Sequence, residues 1–217
     1  MTDAIFFDCD GVLVDSEPLS AQTTADLLAR KGLHMTWQEA NSYFTGKSMA
    51  DAILLLRDEF GLVMDPSYAK DHETLLFHRF HEGLRPILGI ADLLARLPQP
   101  VCVTSNSTHR RLAVSLSLTG LDGFFPDRVF SAEDVARGKP APDLFFFAAR
   151  RMGVSVDRCL VIDDSPSGIR GAVAAGARAI GFTGGSHITP GHADRLIEAG
   201  AETTVDSIPA LSTLLTA

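Results

Sequence analysis

Phe6-Phe7-Asp8-Cys9-Asp10-Gly11-Val12-Leu13-Val14-Asp15-Ser16-Glu17 joins an apolar run to two aspartates, a glycine and a second apolar run. Ala4 to Phe7 is rich in strand formers, so it reads as a buried strand with carboxylates at its C-terminal end. Open α/β sheets place their ligands at that end. Residues i and i+2 of an extended chain project to one side, which aims Asp8 and Asp10 at one point and turns Cys9 away. Carboxylates that close call for a divalent cation between them, or for one ionised group beside one protonated, or for both. Taken alone, Asp-x-Asp-Gly also fits a capped turn after an ordinary strand, so the rest of the chain has to decide.

From Glu17 to Glu82 the apolar positions recur at three and four, as in Met49, Ile53, Leu54, Leu56 and Phe60, and the stretch reads as about four helices. Lying between the first strand and the next, it is expected to be an insertion that packs as its own lid, with residues 16–85 as cap and residues 1–15 and 86–217 as core. After Gly83 strands and helices alternate. Pro100 to Thr104, Val129-Phe130, Cys159 to Ile162 and Ala177 to Phe182 are strand-like, with helices expected over Gly89 to Leu97, Thr108 to Leu118, Asp143 to Met152, Ser167 to Ala175, His192 to Ala199 and Ile208 to Leu215. The fold class this predicts is α/β, a Rossmann-like parallel sheet covered on both faces with an inserted all-helical cap.

Two later strands also end in polar residues, at Thr104-Ser105-Asn106-Ser107 and at Asp163-Asp164-Ser165, and Arg137-Gly138-Lys139-Pro140 forms a loop opening a helix between them. A parallel sheet points all of these to the edge that carries Asp8 and Asp10. Each has an ordinary explanation as a helix cap or a solvated turn residue. Their joint appearance after consecutive strands is much harder to explain that way.

The chain has 217 residues, is 46% hydrophobic and carries a formal charge of −8, enough for one substantial core plus a smaller unit. With no basic cluster longer than Arg110-Arg111 or Arg150-Arg151, nothing attracts nucleic acid or an anionic membrane, and a small-molecule partner is expected. Cys9, Cys102 and Cys159 lie in or beside strand-like runs without framework spacing, which predicts buried thiols. No stretch approaches the roughly 18 apolar residues of a membrane span, and strand 1 starts too early to leave room for a signal segment. A cytoplasmic protein is expected. His72, His78 and His81 lack a recognised ligand spacing and are expected to be exposed cap residues. Gly181-Phe182-Thr183-Gly184-Gly185-Ser186-His187 lacks dinucleotide spacing and reads as a flexible loop near the site rim.

The sequence resembles the haloacid dehalogenase-like hydrolase superfamily, in the branch of β-phosphoglucomutases and small sugar-phosphate phosphatases. Its motifs appear in order as Asp8-Cys9-Asp10-Gly11, Thr104-Ser105-Asn106, Gly138-Lys139-Pro140 and Asp163-Asp164-Ser165. From Phe6 to Glu17 and from Lys139 to Met152 the pattern is similar to 6-phosphogluconate phosphatase-like members. The resemblance implies a phosphatase for small phosphorylated sugars, sugar acids or polyols, working through an aspartyl-phosphate on Asp8. Asp10 would serve as acid and base, for which an elevated pKa is expected. Ser105, Asn106 and Lys139 would hold the phosphoryl oxygens, and Mg²⁺ would be held by Asp8, the Asp10 carbonyl, Asp163 and Asp164. Thr45-Gly46-Lys47-Ser48 resembles the substrate-facing cap loop, with Lys47, Ser48 and Met49 as candidates for selecting the organic part of the substrate.

Two departures point within the family. β-Phosphoglucomutases typically carry a His where this chain has Ser20 and an Arg where it has Met49, so their absence favours hydrolysis over phosphoryl return. Asp163 replaces a Glu common in the branch, and Asp10 argues against dehalogenation. Alternatives are a mutase or a phosphoglycolate phosphatase-like enzyme. A phosphate-accepting signalling module has the order of its acidic residues against it. Monomer or weak dimer is the expected assembly.

Overall fold

The structure is a computed structural model and describes residues 2–216. Six parallel strands form one sheet, β1 (Ala4–Phe7), β2 (Val101–Ser105), β3 (Val129–Ser131), β4 (Cys159–Asp163), β5 (Arg178–Phe182) and β6 (Thr203–Val205), in the order β3-β2-β1-β4-β5-β6. The expected α/β class with a parallel sheet is therefore found. β6 went unread in the sequence because Thr203-Thr204-Val205 is too short to show a period.

Alternation along the strands sorts the core into two layers. Ile5 and Phe7 join Val101, Val103, Leu160, Ile162, Ile180 and Phe182 on one face. Ala4 and Phe6 join Cys102, Cys159, Val161 and Ala179 on the other. The first face is covered by α5 (Ile90–Leu94), α6 (His109–Thr119) and α10 (Ile208–Thr216), the second by α7 (Asp143–Met152), α8 (Pro166–Ala174) and α9 (His192–Glu198). Burying Phe6 and Phe7 completely contributes about 1.5–3 kcal/mol each, which makes β1 the anchor of both layers. All three cysteines are buried and free, as expected.

Connections run from β1 outward through β2 to β3, then return across β1 to β4, so the order reverses beside β1. Asp8 immediately follows β1, and Asp163 closes β4. This switch point is where a doubly wound sheet opens a crevice for ligand.

Between β1 and β2 lie α1 (Glu17–Ala29), α2 (Trp37–Phe44), α3 (Met49–Phe60) and α4 (Tyr68–Gly83). Thr36 and Glu39 start α2 with reciprocal capping bonds, and Ser48 caps α3, which Gly61 ends in a left-handed turn. Leu27, Leu28, Leu56 and Tyr68 form a separate apolar cluster for this block. Leu76, Phe77 and Phe80 of α4 instead join the first face of the main core. Entry and exit are tied together by Asp15 N–H donating to the Arg85 carbonyl and Ile87 N–H to that of Leu13, each at 2.9 Å.

Candidate active site

Gly11 turns the chain after β1 with φ +77, and a side chain there would overlap the Asp164 carboxylate. The tight bend and the close approach both require glycine. Asp8 and Asp10 thereby come to the β4 end, where one oxygen from each of Asp8, Asp163 and Asp164 lies within 4.8 Å of the others, all buried.

Lys139 Nζ donates to Asp8 Oδ1 at 2.8 Å and to Asp163 Oδ2 at 2.6 Å. Although burial favours the neutral amine, these carboxylates outweigh it and keep Lys139 charged. Its backbone is pinned by Asn106, whose Oδ1 accepts from Lys139 N–H at 2.8 Å and whose Nδ2 donates to the Lys139 carbonyl at 2.9 Å. The Asn106 amide is thus engaged with Lys139. Asp163 Oδ1 accepts from Ser165 N–H and Oγ, so both of its oxygens already have partners. Gly168 in the first turn of α8 leaves room for it, since a Cβ there would overlap the Asp163 carboxylate.

Asp10 accepts hydrogen bonds from Ser16 Oγ, Ser107 Oγ (2.6 Å) and Arg111 Nη2 (2.7 Å). Burial pushes its carboxyl up, but the Arg111 guanidinium and the two hydroxyls prevail and hold it below the ordinary carboxylate range. This corrects the expected elevated pKa, because Arg111 was not foreseen. Nothing in Arg110-Arg111 as a sequence pair says that Thr108 caps α6 and turns only the second arginine toward Asp10. Asp8 behaves oppositely. Burial raises it, Lys139 lowers it, and Asp163, Asp164 and Asp10 raise it again, to well above the ordinary value.

That crowding is the test of whether the residues fit a metal ion. Asp164 is likewise held up, first by burial, and the three buried carboxylates offer only hard oxygen donors. Asp8 and Asp164 both gain from a nearby cation, and oxygen donors suit Mg²⁺. The residues fit.

A cavity of about 400 Å³ runs from this cluster to the helical block, lined among others by Glu17, Ser20, Phe44, Lys47, Met49 and Lys70. Gly46 and Ser48 line it too. The Ser48 hydroxyl caps α3 by accepting from Asp51 N–H at 3.1 Å, and Met49 also packs on the block's own cluster. Glu17, half-buried, has its carboxyl raised to about 7 by burial and by Asp10.

One histidine reading and one loop reading are corrected. His78 and His81 are exposed as expected, but His72 is buried. Thr24 Oγ1 donates to the Ser20 carbonyl, so His72 Nε2 donates to Thr24 at 3.0 Å, and burial drops the imidazole to about 4. The glycine-rich stretch after β5 does lie at the rim, but it is tied rather than loose. Ser186 N–H and Oγ both donate to Asp15, at 3.0 and 2.6 Å, and His187 is buried against Asp164 at 2.8 Å.

A doubly wound parallel sheet with a lysine and clustered carboxylates at its switch point marks an α/β protein whose site lies where the strand order reverses. The chain belongs to the haloacid dehalogenase-like hydrolase family, whose description matches residues 2–176. Among relatives, the 6-phosphogluconate phosphatase of Escherichia coli (strain K12) is 31% identical over 189 residues, covering 87% of this chain and 86% of that protein. A crystal structure of a conserved haloacid dehalogenase-like protein of unknown function from Agrobacterium tumefaciens is 40% identical, covers all of both chains and has a TM-score of 0.87. A haloacid dehalogenase family hydrolase from Deinococcus radiodurans, solved with bound phosphate and sodium, is 35% identical with a TM-score of 0.81, covering 99% and 95% of the two chains. Among the described residues, no helix is long and apolar enough to cross a membrane.

Proposed function

We propose that this chain is a Mg²⁺-dependent phosphatase of small phosphorylated sugars, sugar acids or polyols. The observation that carries the reading is Lys139 held between Asp8 and Asp163, with Asp164 beside them and Asp10 carrying its own set of donors. The phosphatase relative and the phosphate bound to the Deinococcus protein support it.

Asp8 attacks phosphorus, forming an Oδ–P bond as the bond to the ester oxygen breaks. Asp10 gives its proton to the departing alkoxide, then takes one from the water that attacks phosphorus and releases Asp8. In the free site Asp10 is ionised, ready for the second role. A phosphate dianion beside it offsets Arg111 and favours the protonated form that the first role needs. Lys139 and Ser105 hold the phosphoryl oxygens, and Asn106 acts on them through Lys139. When bound by Asp8, the Asp10 carbonyl, Asp164 and Asp163, Mg²⁺ supplies positive charge to the phosphoryl oxygens.

Residues 16–85 act as the cap and residues 1–15 with 86–217 as the core, a division supported by the pairing of entry and exit segments at Val14 and Pro86. Gly46, Lys47 and Ser48 face the organic part of the substrate across the cavity. Ser20, which lines the same cavity, offers no imidazole for phosphoryl return, which favours hydrolysis over the mutase reading. The protein works in the cytoplasm, where its buried thiols stay reduced, as a monomer or weak dimer. Phosphate release from a panel of phosphorylated sugars, sugar acids and polyols, with and without Mg²⁺, tests the reading. Mg²⁺-dependent release is expected, and interconversion of hexose 1- and 6-phosphates without release would overturn it.

A further inference from the structure

Asp164 is gripped from a segment beyond residue 176, outside the stretch that matches the family description. His187 Nε2 meets Asp164 Oδ2 at 2.8 Å, in an ion pair whose side chains are only 1% and 4% exposed. The imidazole packs into the space that two glycines leave open, since a Cβ on either Gly11 or Gly185 would stand 2.8 Å from its Cε1. Its backbone is fixed as well, the His187 carbonyl accepting from Asn41 Nδ2 of α2 at 3.1 Å and the neighbouring Ser186 being bound to Asp15. His192 holds the other end of the same residue. Arg195 Nη2 donates to His192 Nδ1 at 2.9 Å, so Nε2 must carry the proton, and it donates to the Asp164 carbonyl.

We propose that His187 is a positioning residue for Asp164, and that the loop carrying it, braced by His192, sets the affinity of the carboxylate cluster for Mg²⁺. An ion ligand is effective only if its free oxygen is aimed, and partners of the ligand's other atoms do the aiming. Here Asp164 has one carboxylate oxygen paired with His187 and its carbonyl bound by His192, and its carboxylate stands within 4.8 Å of those of Asp8 and Asp163. Because the His187 carbonyl also ties to Asn41, the same loop joins the cation site to the helical block.

The inference rests on the Mg²⁺ reading, and calorimetric titration of Mg²⁺ alone into the metal-free protein separates the two. The parent is expected to bind Mg²⁺, and His187→Ala to bind it about tenfold more weakly or worse. His187→Leu, which fills the space without a polar atom, carries the same expectation if the alanine variant does not fold. A role confined to packing would lower Tm and leave the Mg²⁺ Kd unchanged, and that result in a folded variant overturns the inference. Tighter Mg²⁺ binding by either variant overturns it as well, since His187 would then be a competitor of the ion. No Mg²⁺ binding by the parent would defeat the Mg²⁺ reading of the site itself, and the inference with it.

Discussion

Arg111 Nη2 lies 2.7 Å from Asp10 Oδ1, with its guanidinium 5.6 Å above the ring of Phe80. A core helix thereby fixes the orientation of the proposed acid and base from the cavity side. Arg111→Gln should lower kcat about tenfold or more while leaving the Mg²⁺ Kd unchanged, and should cost about 3 kcal/mol of stability because Asp10 is left buried without its cation. Arg111→Lys should not restore the rate, since an ammonium lacks the fork that lets one group both stack on Phe80 and reach Asp10. Steady-state kinetics with a parallel urea titration checks both statements.

Asn106 binds both the N–H and the carbonyl of Lys139, so its truncation releases the lysine backbone. Asn106→Ala should reduce kcat by about ten- to hundredfold through misplacement of Nζ. Asn106→Asp should recover little, because a carboxylate cannot donate to the Lys139 carbonyl. A KM effect with unchanged kcat would instead mean that Asn106 contacts the substrate directly.

Gly168 is the space in which the Asp163 carboxylate sits. Gly168→Ala should displace Asp163 from Lys139, lowering activity and Tm together despite the better helix propensity of alanine. Retention of both would show that Asp163 can move without disturbing Lys139.

His72 titrates near 4 in the folded protein against an ordinary value of 6.5, because it is buried. Between these values the unfolded chain binds a proton that the folded chain does not, so stability falls as pH drops from 6.5 towards 4. The loss should be on the order of 3 kcal/mol over that window. His72→Gln, which keeps an N–H for Thr24 and does not titrate, should flatten this part of the profile in urea denaturation at stepped pH.

The strand ends were legible because their logic is local. Asp8 and Asp10 are spaced for one side of an extended chain, and the runs before Ser105 and Asp163 are apolar strands in a parallel sheet, whose ends must meet. The structure gathers Asp8, Asp10, Ser105, Lys139, Asp163 and Asp164 at one rim accordingly. Arg111 and His187 were not legible because their reach depends on how α6 and the loop after β5 are seated, which no spacing encodes. His72 was misread for a related reason. A histidine on a mostly polar helix looks solvated until α1 is packed beside it, and only then does Thr24 appear as its partner. The raised Asp8 carboxyl was not legible either, since its crowding comes from burial and from three other carboxylates, two of them far away in sequence.

The central claim is that hydrolysis passes through a phosphoryl group on Asp8. Acid-quenched turnover of a phosphate-labelled sugar ester, followed by digestion and mass analysis of the peptide holding Asp8, measures it directly. The account predicts labelled phosphate on Asp8 in the native chain, and neither label nor phosphate release in Asp8→Asn. Phosphate release that proceeds without a labelled peptide, or that survives in Asp8→Asn, would contradict it.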